Sequence, residues 1–227
     1  MTSSARIGIL GGTLDPIHDG HVQAALAARR GLALDVVRVL PSHVPPHRPE
    51  QPLASAYHRF AMAALAVNGV DGLLASDDEL RAPGPSFTAD TLERLRAHGV
   101  QTSQIFFITG ADAFAEIATW RRYPDVLDLA HFVVVARPGH PVDALATLVP
   151  ALATRMRPAR PGAGASSSAS IFLLDAPTPD VSSTEIRERL RAGRSITGLV
   201  PPAVERHIFQ HGLYGAVIPA DQLHGEH

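Results

Sequence analysis

The run Ile7-Gly8-Ile9-Leu10-Gly11-Gly12-Thr13-Leu14-Asp15-Pro16-Ile17-His18-Asp19-Gly20-His21 constrains this chain more than any other stretch. Its first four residues read as a buried strand. From Gly20 onward the apolar positions Val22, Ala25, Leu26 and Ala28 read as a helix. A strand that passes through a glycine loop into a helix is the opening of a β-α unit, and it commits the chain to an α/β architecture. The first N–H groups of such a helix lack partners and its dipole is positive there, so the place suits an anion. Two imidazoles three residues apart, His18 and His21, add donors for phosphate oxygens. Gly11 and Gly12 allow the backbone to approach a ligand closely. The spacing is not G-x-G-x-x-G, so the dinucleotide fingerprint does not apply. Two other readings stay open: a glycine turn with incidental polar residues, and a zinc site drawn from His18, His21, His43 and His47.

Further apolar runs follow at 34–40, 72–76, 104–109, 131–136 and 170–174, and the first spans 6–10. Helical patterns occupy 20–31, 54–68, 88–98, 112–118, 123–129, 141–154, 183–192 and 201–210. This alternation predicts a doubly wound, mainly parallel sheet with helices on both faces and a small C-terminal helical part. Ligands bind such sheets outside the carboxyl ends of the strands. Residues 1–215 read as one domain, with a flexible loop at 157–168 by composition and a poorly ordered tail at 216–227.

Composition narrows the function. Net charge is −2, so no basic field argues for nucleic acid. All 20 basic residues are arginine, so no lysine is present for a Schiff base or a phosphate clamp. Cysteine is absent, which excludes disulfides, thiolate metal sites and cysteine nucleophiles. No signal peptide is visible and no run reaches the roughly 20 apolar residues of a membrane span. A soluble cytoplasmic protein with no membrane partner is the expectation.

Five more constellations lie where strands end. Pro45-Pro46-His47-Arg48 is a stiff loop that presents His47 and Arg48 as a cationic rim, or is simply a rigid connector. In Ser86-Phe87-Thr88-Ala89-Asp90, Thr88 reads as a helix N-cap whose hydroxyl also faces a cleft. Thr109-Gly110-Ala111-Asp112 sets a carboxylate at a strand end, suited to ribose hydroxyls or to capping. Trp120 follows, as packing or as a stacking surface. Arg137, after the fifth strand, can pair with phosphate or face solvent. Ser182-Ser183-Thr184-Glu185-Ile186-Arg187 is a capping box that also makes a second oxyanion cradle.

Together these segments, in order from residue 7 to about 214, resemble the bacterial nicotinate-nucleotide adenylyltransferases of the HxGH nucleotidyltransferase superfamily. The histidine motif alone marks only a nucleotidyltransferase; the proline-histidine loop, Trp120 and the late Ser-Thr-Arg turn narrow the subfamily. The resemblance implies a Rossmann-like fold, ATP and nicotinate mononucleotide as partners, and Mg²⁺. It implies transfer of AMP that yields deamido-NAD and pyrophosphate in NAD biosynthesis. His18 and His21 would be the catalytic pair on the ATP phosphates, with Gly11, Gly12 and Thr13 beside them. Ser182, Thr184 and Arg187 would hold the triphosphate from the other side, and Asp112 would meet a ribose. On the mononucleotide, Trp120 would stack on the pyridine and Thr88 would orient its carboxylate. Asp15, His47, Arg48 and Arg137 would complete that half. Leu14 stands where the family usually has phenylalanine, and Arg48 where it usually has lysine, which keeps the charge and changes the reach.

In this scheme the mononucleotide phosphate is already a nucleophile. It attacks the α-phosphorus in line, so catalysis is positioning and charge stabilisation. The alternatives are nicotinamide mononucleotide as acceptor, phosphopantetheine or cytidylyl transfer, a nucleotide-binding regulator without turnover, or a zinc hydrolase. A homo-oligomer stays open.

Overall fold

The computed structural model describes residues 5–46, 53–164 and 168–217. His47 and Arg48 lie outside the described residues, as does the tail from 218. The elements run β1 (Ile7–Gly12), α1 (Asp19–Leu32), β2 (Val36–Pro41), α2 (Ala56–Val67), β3 (Leu73–Ala75), α3 (Thr88–Ala97), β4 (Ile105–Gly110), α4 (Ala111–Ala115), β5 (His131–Val135), α5 (Leu145–Leu148), β6 (Met156–Pro158), β7 (Ile171–Leu174), α6 (Ser183–Arg191) and α7 (Pro202–Gln210). The strands form one sheet in the order β3-β2-β1-β4-β5-β7-β6, and every pairing is parallel.

The apolar runs are continuous because both faces of the sheet are covered. Successive strand residues point to opposite faces. Leu10, Phe106, Ile108, Val133 and Val135 pack with Val22 and Ala25 of α1, Met62 of α2, Ile186 of α6 and Ile208 of α7. Their neighbours Ile9, Ile105, Phe107, Phe132 and Val134 pack on the other side with Leu92 of α3, Phe114 of α4 and Leu145 of α5.

Four sequence expectations are corrected. The helix read over 123–129 is a 3-10 turn at Asp125–Asp128. The helix read over 141–154 is broken into 3-10 turns at 142–144 and 150–155 around the four-residue α5. Pro150 has no N–H to continue the ladder. The loop read over 157–168 begins instead as β6, which pairs with β7 from Met156↔Ile171 to Pro158↔Leu173. Proline is compatible with an edge strand, so its presence hid the pairing. The same segment is then held down: Arg6 donates to the Ala163 carbonyl, and the His131 ring bonds the Gly164 carbonyl. Finally, Thr88 is the first residue of α3 and Phe87 is its N-cap, with no side-chain cap bond.

One buried charge holds the sheet's left half to its loops. Arg59 of α2 is 0 % exposed. Its guanidinium donates to the carbonyls of Ala54, Thr13, Ser42 and His43 at 3.2, 2.8, 2.6 and 3.0 Å. It thereby joins the loop after β1, the loop after β2 and the start of α2. Arg59→Met would orphan these acceptors, each costing about 1–3 kcal/mol when buried. We expect a loss of at least about 3 kcal/mol, read as a melting-temperature drop of roughly 6–12 °C; an unchanged melting temperature would contradict this role.

Farther along the sheet His131, also 0 % exposed, ties the start of β5 to the approach to β7. Its Nδ1 accepts from the Ser170 N–H at 3.1 Å, so its Nε2 carries the proton that meets the Gly164 carbonyl at 3.1 Å. Burial, with the Arg6 cation adding to it, lowers the His131 pKa to about 4. The unfolded chain therefore takes up this proton first as pH falls through 6.5, and stability declines from there toward pH 4. Between pH 7 and pH 5 His131 alone should cost about 1–2 kcal/mol. His131→Phe should be less stable at pH 7 and show a flatter fall in melting temperature toward pH 5; an equally steep fall would refute the assignment.

Candidate functional site

The strand order reverses between β1 and β4, which makes their shared carboxyl end the switch point where a ligand crevice forms. Gly12 aligns with Pro41 of β2, and Gly110 of β4 with Val135 of β5. The strand ends singled out in the sequence thus open onto one edge.

His18 is the N-cap of α1, in an extended conformation and 1 % exposed. His21 stands one turn on, and the ring centroids are 3.7 Å apart. The His18 backbone N–H points to His21 Nδ1 at 3.3 Å. A Cβ at Gly20 would come within 3.0 Å of the His18 ring and 3.3 Å of Val181, so glycine between the two histidines is what lets the first ring lie flat. The helix start is less open than the sequence implied, because the Asp19 N–H is taken by the Leu199 carbonyl at 3.0 Å. Anion binding here therefore leans on the imidazoles more than on the backbone.

Burial lowers the His18 pKa to about 3, with the Arg137 cation adding to it. Burial, then His18, then Arg137 hold His21 well below the ordinary value, although some of its surface is accessible. Both rings are thus neutral at pH 7. Since His21 Nδ1 is an acceptor, its proton sits on Nε2. His18 Nδ1 is buried without a hydrogen-bond partner among the described residues.

Arg137, after β5, lies 3.4 Å from Asp112 Oδ2, both partly exposed. The other carboxylate oxygen, Asp112 Oδ1, is buried and unpartnered. Gly110 makes room for the pair: a Cβ there would fall 2.4 Å from Asp112 Oδ1 and 2.8 Å from Arg137 Cδ. His18, His21, Asp112 and Arg137 therefore form one electrostatic cluster.

The opening turn of α6 faces the same loop. Ser182 and Thr184 are exposed. Ser182 Oγ caps the Glu185 N–H at 3.1 Å. Ser183, which the sequence reading passed over, donates to the Pro16 carbonyl at 2.9 Å. Arg187 is turned inward, 4 % exposed, and donates to the Asp15 carbonyl at 2.6 Å and to Thr184 Oγ1 at 3.2 Å. Asp15 is also committed to the protein. Its carboxylate accepts from the N–H groups of Leu53 and Ala54 at 2.8 and 3.1 Å and from the Tyr214 hydroxyl at 2.7 Å. It shapes the loop that bears His18 rather than presenting free acceptors to a ligand.

A third wall joins α3 to the segment after α4. Trp120 stands edge-on to Phe107 with centroids 6.0 Å apart, and part of its ring stays accessible. Its neighbour Arg121 pairs with Asp90 at 3.1 Å and covers the Phe87 ring at 4.5 Å, so the region around Thr88 is fastened to the Trp120 turn. The ring Nδ1 of His43 lies 3.3 Å from the Ala82 carbonyl, and among the described residues His43 does not gather with His18 and His21 into a metal-ligating group. Arg59, Ser183 and Tyr214 escaped the sequence reading. A lone arginine in the otherwise apolar helix Phe60-Ala61-Met62-Ala63-Ala64-Leu65 was the one available signal.

The cytidylyltransferase-like family model matches residues 9–189. The chain is 42 % identical over 214 residues to a protein of Pseudomonas fluorescens named "Probable nicotinate-nucleotide adenylyltransferase", covering 93 % of this chain and 98 % of that one. A Desulfatibacillum aliphaticivorans protein of the same name is 39 % identical over 217 residues, covering 92 % and 99 %. Among solved structures, the Plasmodium falciparum nicotinic acid mononucleotide adenylyltransferase complexed with NaAD superposes with a TM-score of 0.71 at 18 % identity, covering 95 % of this chain and all of that one. That likeness shows the shared fold, and the full-length identities show the kinship: this chain belongs to the nicotinate-nucleotide adenylyltransferase family, within the cytidylyltransferase-like nucleotidyltransferases.

Proposed function

We propose that the chain moves AMP from ATP to nicotinate mononucleotide, releasing deamido-NAD and pyrophosphate. The observation that carries this reading is the pair of neutral imidazoles 3.7 Å apart at the start of α1, facing Arg137 at the sheet's switch point. Such a pair is a built site for phosphate oxygens: it donates hydrogen bonds without a fixed positive charge, and a bound triphosphate draws protons toward it.

His21 donates Nε2–H to an oxygen of the α-phosphate, and His18 backs it. The hydroxyls of Ser182 and Thr184 approach the triphosphate from α6, while Gly11, Gly12 and Thr13 form the floor. Arg187 acts mainly by setting the Asp15 loop. Asp112 Oδ1 accepts a ribose hydroxyl. Arg137 approaches the mononucleotide phosphate, with Trp120 and Thr88 on the pyridine side. The mononucleotide phosphate oxygen attacks the α-phosphorus, the bond to the β-phosphate oxygen breaks, and pyrophosphate leaves with the electron pair. No proton transfer to a protein base is needed.

Mg²⁺ takes oxygen ligands, and the imidazoles and guanidinium gathered here are not among them. The donor set fits an ion held chiefly by the triphosphate and water, with the exposed hydroxyls of Ser182 and Thr184 as the protein oxygens that would join its shell. Bound, it neutralises charge on the leaving pyrophosphate.

With ATP, Mg²⁺ and nicotinate mononucleotide, the purified protein should release pyrophosphate and deamido-NAD in equal amounts. His21→Ala should lower kcat by about 10²-fold or more with a folded protein, the scale of losing one oxyanion donor. Absence of turnover in the parent chain sinks the activity; near-normal turnover in the variant sinks only the role of His21.

The acceptor's charge offers a second check. A site lined by N–H and hydroxyl donors favours a carboxylate over an amide, whose NH₂ would face donors. kcat/KM should therefore be higher for nicotinate mononucleotide than for nicotinamide mononucleotide, and the reverse order would overturn the choice of substrate.

A further inference from the structure

We infer that His58, His207 and His211 form a binding site for a divalent transition-metal ion of the zinc class, which staples α2 to α7 away from the nucleotide site. His58 lies in the first turn of α2. His207 and His211 are four residues apart at the end of α7, which places them on one face of the helix. Their nitrogen donors all lie within 4.8 Å of one another. His58 Nδ1 and His207 Nε2 are 3.1 Å apart, and the three ring centroids are separated by 5.2, 4.9 and 4.4 Å.

A tetrahedral shell with zinc–nitrogen bonds of about 2.0–2.1 Å sets its nitrogens about 3.3 Å apart. The His58–His207 edge already has that length. His211 is exposed and has the freedom to swing onto the third corner. Three imidazoles without a carboxylate select zinc, cobalt, nickel or copper over Mg²⁺, and leave a fourth position for water.

The placement gives the ion a task. Ala54, four residues before His58, and Tyr214, three residues after His211, both donate to Asp15. An ion at this site would pin both arms of the clamp that shapes the loop bearing His18. The inference does not depend on the reaction assigned above.

The test uses the full chain stripped by a chelator, in buffer with millimolar Mg²⁺, titrated with Zn²⁺ by calorimetry and with Co²⁺ by visible absorption. The expected result is one ion per chain, a tetrahedral cobalt spectrum and a melting temperature raised by several degrees at saturating Zn²⁺. His211→Gln and His58→Gln should each weaken binding tenfold or more, whereas His21→Gln should leave it unchanged. His211 is exposed, so its substitution does not put folding at stake. No uptake, uptake that survives both substitutions, or uptake lost only with His21→Gln would overturn the site; the last outcome would assign the ion to the nucleotide site.

Discussion

The buried guanidinium of Arg59 is the contact on which the architecture of the site rests. Four carbonyls, one from the loop after β1 and three from the two ends of the β2–α2 connection, converge on one cation that has no access to water. Burial lowers its pKa, and Asp15, Tyr214 and Glu79 oppose that shift. A cation in such a place persists only when fully hydrogen-bonded. Its geometry therefore fixes where the chain goes after β1 and β2. Asp15 is the second half of the same arrangement: it gathers Leu53, Ala54 and Tyr214, while its own carbonyl receives Arg187. The loop between β1 and α1 is held from all sides before any nucleotide arrives.

That rigidity explains how two histidines can be kept neutral and close. Left to relax, a buried imidazole would turn toward water. Here Gly20 removes the side chain that would push His18 aside, and the His18 N–H engages His21. The desolvation cost is carried by the fold, and a triphosphate arriving at the pair would meet donors that need no rearrangement.

The fold was largely legible in the residues because strands buried on both faces leave continuous apolar runs. Among the described residues, six of the seven strands coincide with such runs, although Leu74 of the edge strand β3 is exposed. β6 does not: it is three residues long, contains Pro158 and sits at the margin of the sheet. The gathering of the site was legible at His18, His21, Asp112 and Arg137, since each follows a strand and the parallel order brings strand ends together. What the sequence hides is direction. Nothing in the letters says that Arg187 and Asp15 turn inward, or that the Leu199 carbonyl takes the first free N–H of α1. Those outcomes depend on partners up to 199 residues away along the chain, as in the Tyr214–Asp15 bond.

The two outermost strands of the sheet, β3 and β6, are each three residues long. Pro158 has no amide hydrogen to offer an incoming chain. A second molecule sliding in alongside would find too short a ladder to extend, so end-on growth of the sheet into fibres is discouraged by the same proline that concealed the strand from view.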